Sequence, residues 1–505
     1  MEEKPRVEKV GVVEYEHVGR QYMEHRALER RAGVALIWGL GVGYVISGEY
    51  FSWNFGFAGG GFGGFLIASV LAVAMYVFMV YSISEMATAF PVTGGPYAFA
   101  RRTMGVWGGF ATGIGAILEY VFATSAIAAA IFANIAILPP FNDLPNVLGL
   151  QPIEWVAAIT FAIFVVINLT GVQATLVSVF AITVTSVVVL LLWGTVLLIG
   201  GHWDASNFTN IAPAAGQSTL FPFGAFKGIL QALPFAFWFF LAIEGVPLAS
   251  EETRDPSRDL PRGSILAMWS LVFFAAVAFF VGGGVLGAEG LSGAGAPLAE
   301  SVKAAHGGES NFFWIVAVVG ITGLVASFHS IIFAFSRIIY ALSRAGYLPR
   351  FLSLTGRRKS PYLAIVIPAF LALLTLIITN RQSDPVNAIL IVTEMSVFGA
   401  LTTYVLMMLS FIILRVKEPN VQRPYRSPVG IVGAVIAAII AFVAGVAQLG
   451  YNLQGARTGV LVTIGVLLAG YIYFWLYSRH RLVAEAPEEE FALIERAEAE
   501  LDAPV

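Results

Sequence analysis

An all-α polytopic membrane protein of about twelve helices is what this sequence predicts, and three observations predict it. Apolar residues make up 58% and charged residues only 12% of the 505-residue chain, about half the charge of a soluble protein, and the mean hydropathy is +0.79. Apolar segments of roughly 20 residues, the length one helix needs to cross a bilayer, recur along the chain. The basic residues collect on alternate sides of those segments.

The segments lie near 32–54, 63–90, 106–138, 152–170, 173–199, 227–247, 264–287, 312–343, 361–379, 387–414, 428–450 and 458–478. A polar segment of mixed charge, 1–31, precedes them and does not read as a cleavable signal. The fourth and fifth are divided by the short link GVQA at 171–174. With the N-terminus in the cytoplasm, all of the 29 basic residues except Lys227, Lys303, Arg381 and Arg457 fall on the cytoplasmic side. That asymmetry is the positive-inside pattern, and it predicts a multi-pass plasma-membrane protein with both termini cytoplasmic.

The connections follow from the same register. Uncharged GFAGGGFGGF at 56–65 is expected as an external loop; it lacks the preceding strand and following lysine of a phosphate cradle. The external stretch 200–226 is long enough to fold over a site, and EETRDPSRDLPR at 251–262 makes a short inside loop. The tail sequence APEEEFALIERAEAELD at 486–502 reads as a short acidic helix, solvated in the cytosol. The chain thus divides into a cytoplasmic segment 1–31, a transport core 32–414 with halves 32–199 and 227–414, two further spans within 428–478, and a tail 479–505.

Several classes are excluded. There is no cysteine, so disulfides, thiol catalysis and thiolate metal sites are absent. No span offers a paired-histidine metal motif, a GxSxG elbow or a linked nucleophile and base, so neither an enzyme, a metal site nor a cofactor is expected. The net charge of −3 gives no footprint for nucleic acid. The partners expected are the lipid bilayer and a small molecule.

The ionisable residues inside the spans are Glu49, Glu85, Glu119, Glu244, Glu394 and His329, with no lysine among them. Glu154 sits at an external helix start and is interfacial. An all-negative interior suits a cationic passenger, or carboxyl groups bonded to backbone. Two spans also interrupt themselves. The first contains GLGVGYVISGEYFSWN (39–54), with four glycines and Glu49 at membrane depth; the sixth contains Pro234, Pro247 and Gly245 beside Glu244. Glycine and proline weaken a helix, and interrupted spans five apart point to an inverted-repeat transporter with a midplane site. Free amides at such breaks make a positive helix start and free carbonyls a negative end, which together can hold a zwitterion.

Four segments carry a family resemblance: SEMATAFPVTGGPYAFARRTMG (84–105), EGVPLASEETRDPSRDLPRG (244–263), SRIIYALSRAGYLPRFL (336–352) and RPYRSPVG (423–430). They resemble the amino acid–polyamine–organocation (APC) transporters. The resemblance implies a LeuT-like fold of two five-helix inverted repeats with helices 1 and 6 broken at the substrate. SGEYFSWNFGFAGGGFGG (47–64) and GGPYAFARR (94–102) are most similar to the ethanolamine permease group. The resemblance further implies substrate contacts at Ile46, Ser47 and Gly48, and at Ala242 and Ile243 in the second break, where relatives usually have glycine at the position of Ala242. Trp238 matches an aromatic gate. Ser186 approximately matches the fifth-span lysine of some proton-coupled relatives.

Glu49 gives a physical reason for an amine cargo. A ligand carboxylate about 4 Å from it would be repelled by roughly 4 kcal/mol at an effective dielectric near 20, whereas a protonated amine would be held. The expectation is that Glu49, alone or with Glu119, pairs with the ammonium, and that Tyr50, Trp53, Tyr120, Trp238 and Phe240 add cation–π attraction. Glu49 as a cap on its own half-helix is the competing role. Glu244 reads as structural at the sixth-span break, Glu85 as a gate or anchor, and His329, Glu394 and Ser186 as coupling candidates. A coupling proton, another cation or an exchanged amino acid all fit. The sequence therefore reads as an ethanolamine or small-amine permease working by alternating access. An amino acid permease or exchanger of the same superfamily is the alternative, and a membrane sensor or channel a weaker one.

Overall fold

The computed structural model describes residues 7–489 apart from 11, 19, 27, 139–140, 383–384, 452–455 and 488. Eleven helices among them are long and apolar enough to cross a membrane, and a shorter apolar element, Val34–Glu49, completes the series. This is the helical LeuT-like architecture expected of twelve crossings. The eleventh and twelfth crossings, Gly430–Gly450 and Ala456–Leu476, leave Val432, Phe442 and Leu476 exposed, as helices facing lipid do.

The first crossing is helical over Val34–Val45, continues as a 3-10 turn over Ile46–Glu49, and then unwinds. Its early glycines do not weaken it as the sequence suggests. The helix is regular through Gly39, Gly41 and Gly43, and a Cβ at Gly39 would come 2.6 Å from the Phe180 ring of the fifth crossing. The stretch 56–65, expected as an external loop, is instead helical within Phe55–Ala89; the chain turns only at Gly61, φ 58°. Glycine is needed there, because that conformation is strained for other residues. The segment is uncharged because it is packed: a Cβ at Gly60 would meet Gly228 O of the sixth crossing at 2.9 Å.

The third crossing begins earlier than its apolar run. Helix Pro96–Ala136 takes in the PYAFARR of GGPYAFARR, with proline in its first turn and a bend at Gly105, φ 72°. Pro152–Leu169 and Val172–Ile199 form the fourth and fifth crossings, parted at Gly171, φ 119°. The sixth is helical over Ala225–Trp238 and resumes as a 3-10 helix, Ile243–Glu252. The expected inside loop 251–262 shrinks accordingly, since the seventh crossing starts at Pro256 and runs to Val285. The eighth spans Asn311–Arg344, the ninth Tyr362–Gln382 and the tenth Pro385–Lys417.

The third and tenth crossings pack together, as do the second and sixth, while the first is enclosed by the fifth, seventh and eighth. On the face opposite the termini, two helices that the sequence reading did not foresee, Gly287–Gly293 and Pro297–Ala305, cap the bundle. Asn54 Nδ2 donates to Leu291 O at 2.7 Å and to Ala294 O at 2.9 Å, tying the first crossing to that cap. The stretch 200–226 lies over the same face, with Trp203 Nε1 donating to Phe280 O at 2.8 Å.

The terminal segments are folded together. Strands β1 (Val7–Val10) and β2 (Val13–Glu16) form a hairpin, and β3 (Leu482–Val483) pairs in parallel with β2. Most of the predicted tail helix 486–502 lies outside the described residues. Glu489 does not, and it is buried rather than solvated. Arg101 Nη2 pairs with its carboxylate at 2.6 Å, and the hydroxyls of Tyr15, Tyr97 and Tyr347 donate to it at 2.9, 3.2 and 3.1 Å. Burial, reinforced by the Glu489 charge, holds the Tyr15 and Tyr347 phenols above their ordinary range, so they stay protonated donors.

Candidate functional site

The two breaks meet backbone to backbone. A Cβ on Gly48 would lie 2.6 Å from Trp238 O and 3.1 Å from Phe239 Cα, so only glycine permits this approach. Ser47 N donates to Ser327 Oγ of the eighth crossing at 2.8 Å, and Ser47 O accepts from Tyr50 N and Phe51 N. In the sixth crossing, Ala242 holds φ 77°, the left-handed region that favours glycine. That geometry accounts for the glycine usual at this position in the resembling family. Ile243 begins the 3-10 turn that follows.

Glu49 ends the first break and is wholly buried, and both its carboxyl oxygens lack a hydrogen-bond partner among the described residues. Its own backbone amide is the donor that faces the carboxyl group. Aromatic residues gather about the two breaks. Tyr50 donates to Ser186 O at 2.5 Å, and Trp53 donates to Glu49 O at 3.1 Å while stacking on Phe239. Trp238 packs edge-on to Phe51 at 5.2 Å, and its Nε1 is buried without a partner among the described residues. Phe240 faces away from these, against Tyr76 of the second crossing at 5.4 Å.

Glu119 joins Glu244 rather than Glu49. The Tyr404 hydroxyl lies 2.9 Å from Glu119 Oε1 and 2.9 Å from Glu244 Oε2, and Tyr120 donates to Glu244 Oε1 at 2.7 Å. The remaining acids and the histidine are engaged singly. Glu85 pairs with Arg415 at 2.5 Å and Arg423 at 3.0 Å and accepts Ser427 N, anchoring RPYRSPVG to the second crossing. Glu394 bonds Gln448 of the eleventh crossing. His329 has its ring nitrogens 2.8 Å from Asn168 Nδ2 and Ser178 Oγ. Ser186 Oγ donates to Thr183 O, and Glu154 pairs with Arg381 at 2.5 Å.

Sequence reasoning missed the closure on the face carrying the termini. Glu252, at the end of the sixth crossing, pairs with Arg337 of the eighth at 2.7 Å, and neighbouring Glu251 pairs with Arg344 at 2.6 Å. Both arginines were counted only as positive-inside charges, although the repeated EE and the RxxxxxxR spacing put two acids within reach of two bases. Tyr44, Tyr76 and Tyr404 were also missed, because a lone tyrosine in an apolar run carries no distinguishing pattern. Among the described residues no group of three or more His, Asp or Glu side chains could hold a metal ion.

Comparison with known proteins agrees with this architecture. An uncharacterised transporter of Rhizobium meliloti is 28% identical, with 85% of this chain and 88% of that protein covered. The branched-chain amino acid permease of Bacillus subtilis is 26% identical over 90% of this chain and 94% of its own length. A methylthioribose transporter of the same organism is 25% identical over 87% and 91%. Residues 33–484, which contain every crossing and both breaks, match the family model described as amino acid permease, and the chain therefore belongs to the amino acid permease family of membrane transporters.

Proposed function

We propose that this transporter imports ethanolamine or a similar small protonated amine by alternating access across the plasma membrane, with both termini in the cytoplasm. The observation that carries the reading is Glu49, a fully buried carboxyl group beside the unwound backbone with no side-chain donor among the described residues. An unpaired buried carboxylate is costly by several kcal/mol. A ligand ammonium supplies up to three charge-assisted hydrogen bonds to such a group, and Tyr50, Trp53 and Trp238 offer aromatic faces to the same cation. An amino acid would add its own carboxylate beside Glu49, against roughly 4 kcal/mol of repulsion at about 4 Å.

A second reading, an amino acid permease, is favoured by the family description and by the name of the Bacillus relative. The methylthioribose transporter, matched at similar identity, indicates that names at this distance do not assign a cargo. Labelled ethanolamine uptake into proteoliposomes, competed by a panel of amines and amino acids, separates the two. The expected result is competition by carboxylate-free amines and a loss of affinity in Glu49→Gln. Replacing a charge-assisted with a neutral hydrogen bond costs about 1–2 kcal/mol, or roughly 5- to 30-fold. Competition by amino acids at lower concentration than ethanolamine would overturn the amine reading in favour of the second.

A further inference from the structure

We propose that Glu119 and Glu244 form a proton-binding site, a carboxyl–carboxylate pair that holds one proton between the third and sixth crossings and couples transport to proton symport. The inference rests on the transporter reading but not on the identity of the cargo. Both side chains are fully buried. The Tyr404 oxygen lies 2.9 Å from a carboxyl oxygen of each. A phenol has one proton and can donate to only one of them. The other contact closes as a hydrogen bond only when that carboxyl group is protonated and donates to the phenol oxygen. The other donors nearby do not relieve this: Tyr120 donates to Glu244 Oε1, Tyr76 lies 3.1 Å from Phe237 O and 3.4 Å from the Tyr404 oxygen, and Ala242 N lies 3.4 Å from that same phenol oxygen, so none of them supplies the second carboxyl contact.

The two carboxyl groups also lie within hydrogen-bonding reach of one another, a contact that closes only if one of them carries a proton. Glu119 Oε2 finds no partner among the described residues. Nor does the hydroxyl of Tyr44, which is 1% exposed and whose ring lies with the Tyr120 hydroxyl against Gly245. The groups facing the pair are Tyr44 from the first crossing, Tyr76 from the second, Tyr120 from the third and Tyr404 from the tenth; among the described residues, no lysine, arginine or histidine bonds either carboxyl group. Two bare carboxylates held against one phenol oxygen repel each other, and one shared proton removes that repulsion.

The site also straddles a joint. Glu244 sits two residues beyond left-handed Ala242 in the broken sixth crossing, whereas Glu119 lies well beyond the Gly105 bend of its helix and Tyr404 within the tenth crossing, away from any break. When the sixth crossing moves, the pair parts. The O–H bond of the protonated carboxyl then breaks heterolytically, its proton passes to water on the open side, and a carboxylate is left behind. Reloading from water on the opposite side reverses the step, so one proton accompanies each cargo molecule.

Proteoliposomes of the intact chain, with a pH dye in the lumen and labelled cargo outside, give the ratio of protons to cargo. Ethanolamine is used first, and then whichever amino acid is exchanged if ethanolamine is not. That substitution separates a failed cargo assignment from a failed proton site. The expected wild-type ratio is near one, falling to near zero in Glu119→Gln and Glu244→Gln at whatever rate they retain. If both variants are inactive, Tyr404→Phe, which keeps both carboxyl groups, is expected to shift the pH of half-maximal transport. A wild-type ratio of zero, uptake driven by a sodium gradient, an unchanged ratio in either glutamine variant, or an unchanged pH profile in Tyr404→Phe would each overturn the proposal.

Discussion

Removing Arg337 should open the face that carries the termini. The Arg337–Glu252 pair joins the sixth crossing to the eighth through bonds of 2.7 and 3.2 Å to one carboxyl oxygen, with side chains 2% and 0% exposed. Breaking a buried pair by deleting one partner costs about 3–5 kcal/mol, because the remaining charge stays desolvated. In Arg337→Ala that cost falls on the closed arrangement alone, since opening lets water reach Glu252. The open-to-closed ratio should therefore rise by about a hundredfold to a few thousandfold, at 1.4 kcal/mol per tenfold. Protonation of Glu252 in place would relieve part of the cost and sets the lower end. The chain contains no cysteine, so Ser250→Cys, at a fully buried position beside the pair, introduces the sole thiol. Its labelling rate by a hydrophilic maleimide reports opening directly. The rate should rise at least about tenfold in Arg337→Ala, and fall back when Glu252→Gln is added and no charge is left stranded. Equal rates in the presence and absence of Arg337 would refute the reasoning, and a rise that Glu252→Gln does not reverse would assign the effect to lost packing.

Two further outcomes are expected. Ala242→Gly should relieve about 1–2 kcal/mol of left-handed strain, less the extra freedom that glycine gives the unfolded chain, and so raise the melting temperature in detergent; a drop would mean the alanine methyl is needed for packing. Glu489→Ala should free the tail, because Arg101, 7% exposed at its side chain, is left without its anion. The expected readout is faster proteolytic removal of the residues after β3 with the twelve crossings intact, and an unchanged cleavage rate would contradict the docking.

The membrane architecture was legible because apolar length and basic-residue placement are properties of whole segments and survive small errors at their ends. The breaks were legible at Glu49 and between Pro234 and Pro247, although the prolines themselves stay inside helical turns and the chain breaks between them, ahead of left-handed Ala242. What the sequence concealed has specific causes. The glycines of 56–65 suggest a loop by propensity, yet they serve helix contact, because Gly60 and Gly228 let two backbones touch; close approach and chain reversal use the same residue. Glu119 was grouped with Glu49 because both are interior acids, but partner choice depends on which helices are neighbours, and Tyr404, 285 residues away, decides it. The start of the tail looked solvated because its composition is acidic, and at Glu489 the contacts with Arg101 and three hydroxyls show burial instead.

The sixth crossing concentrates these separate features on one element. From Ile243 to Glu252 it is a 3-10 helix of ten residues, far longer than the three or four that such geometry usually sustains, and long 3-10 stretches mark hinges. At about 2.0 Å per residue, Glu244 and Glu252 sit roughly 16 Å apart on it. One end therefore holds the carboxyl pair with Glu119, and the other holds the ion pair with Arg337. No chain of intermediate residues is needed to connect proton binding with opening of the terminal face. A single element with two positions, biased from both ends, is sufficient for coupling, and the left-handed residue at its head, Ala242, is where the backbone can absorb the change.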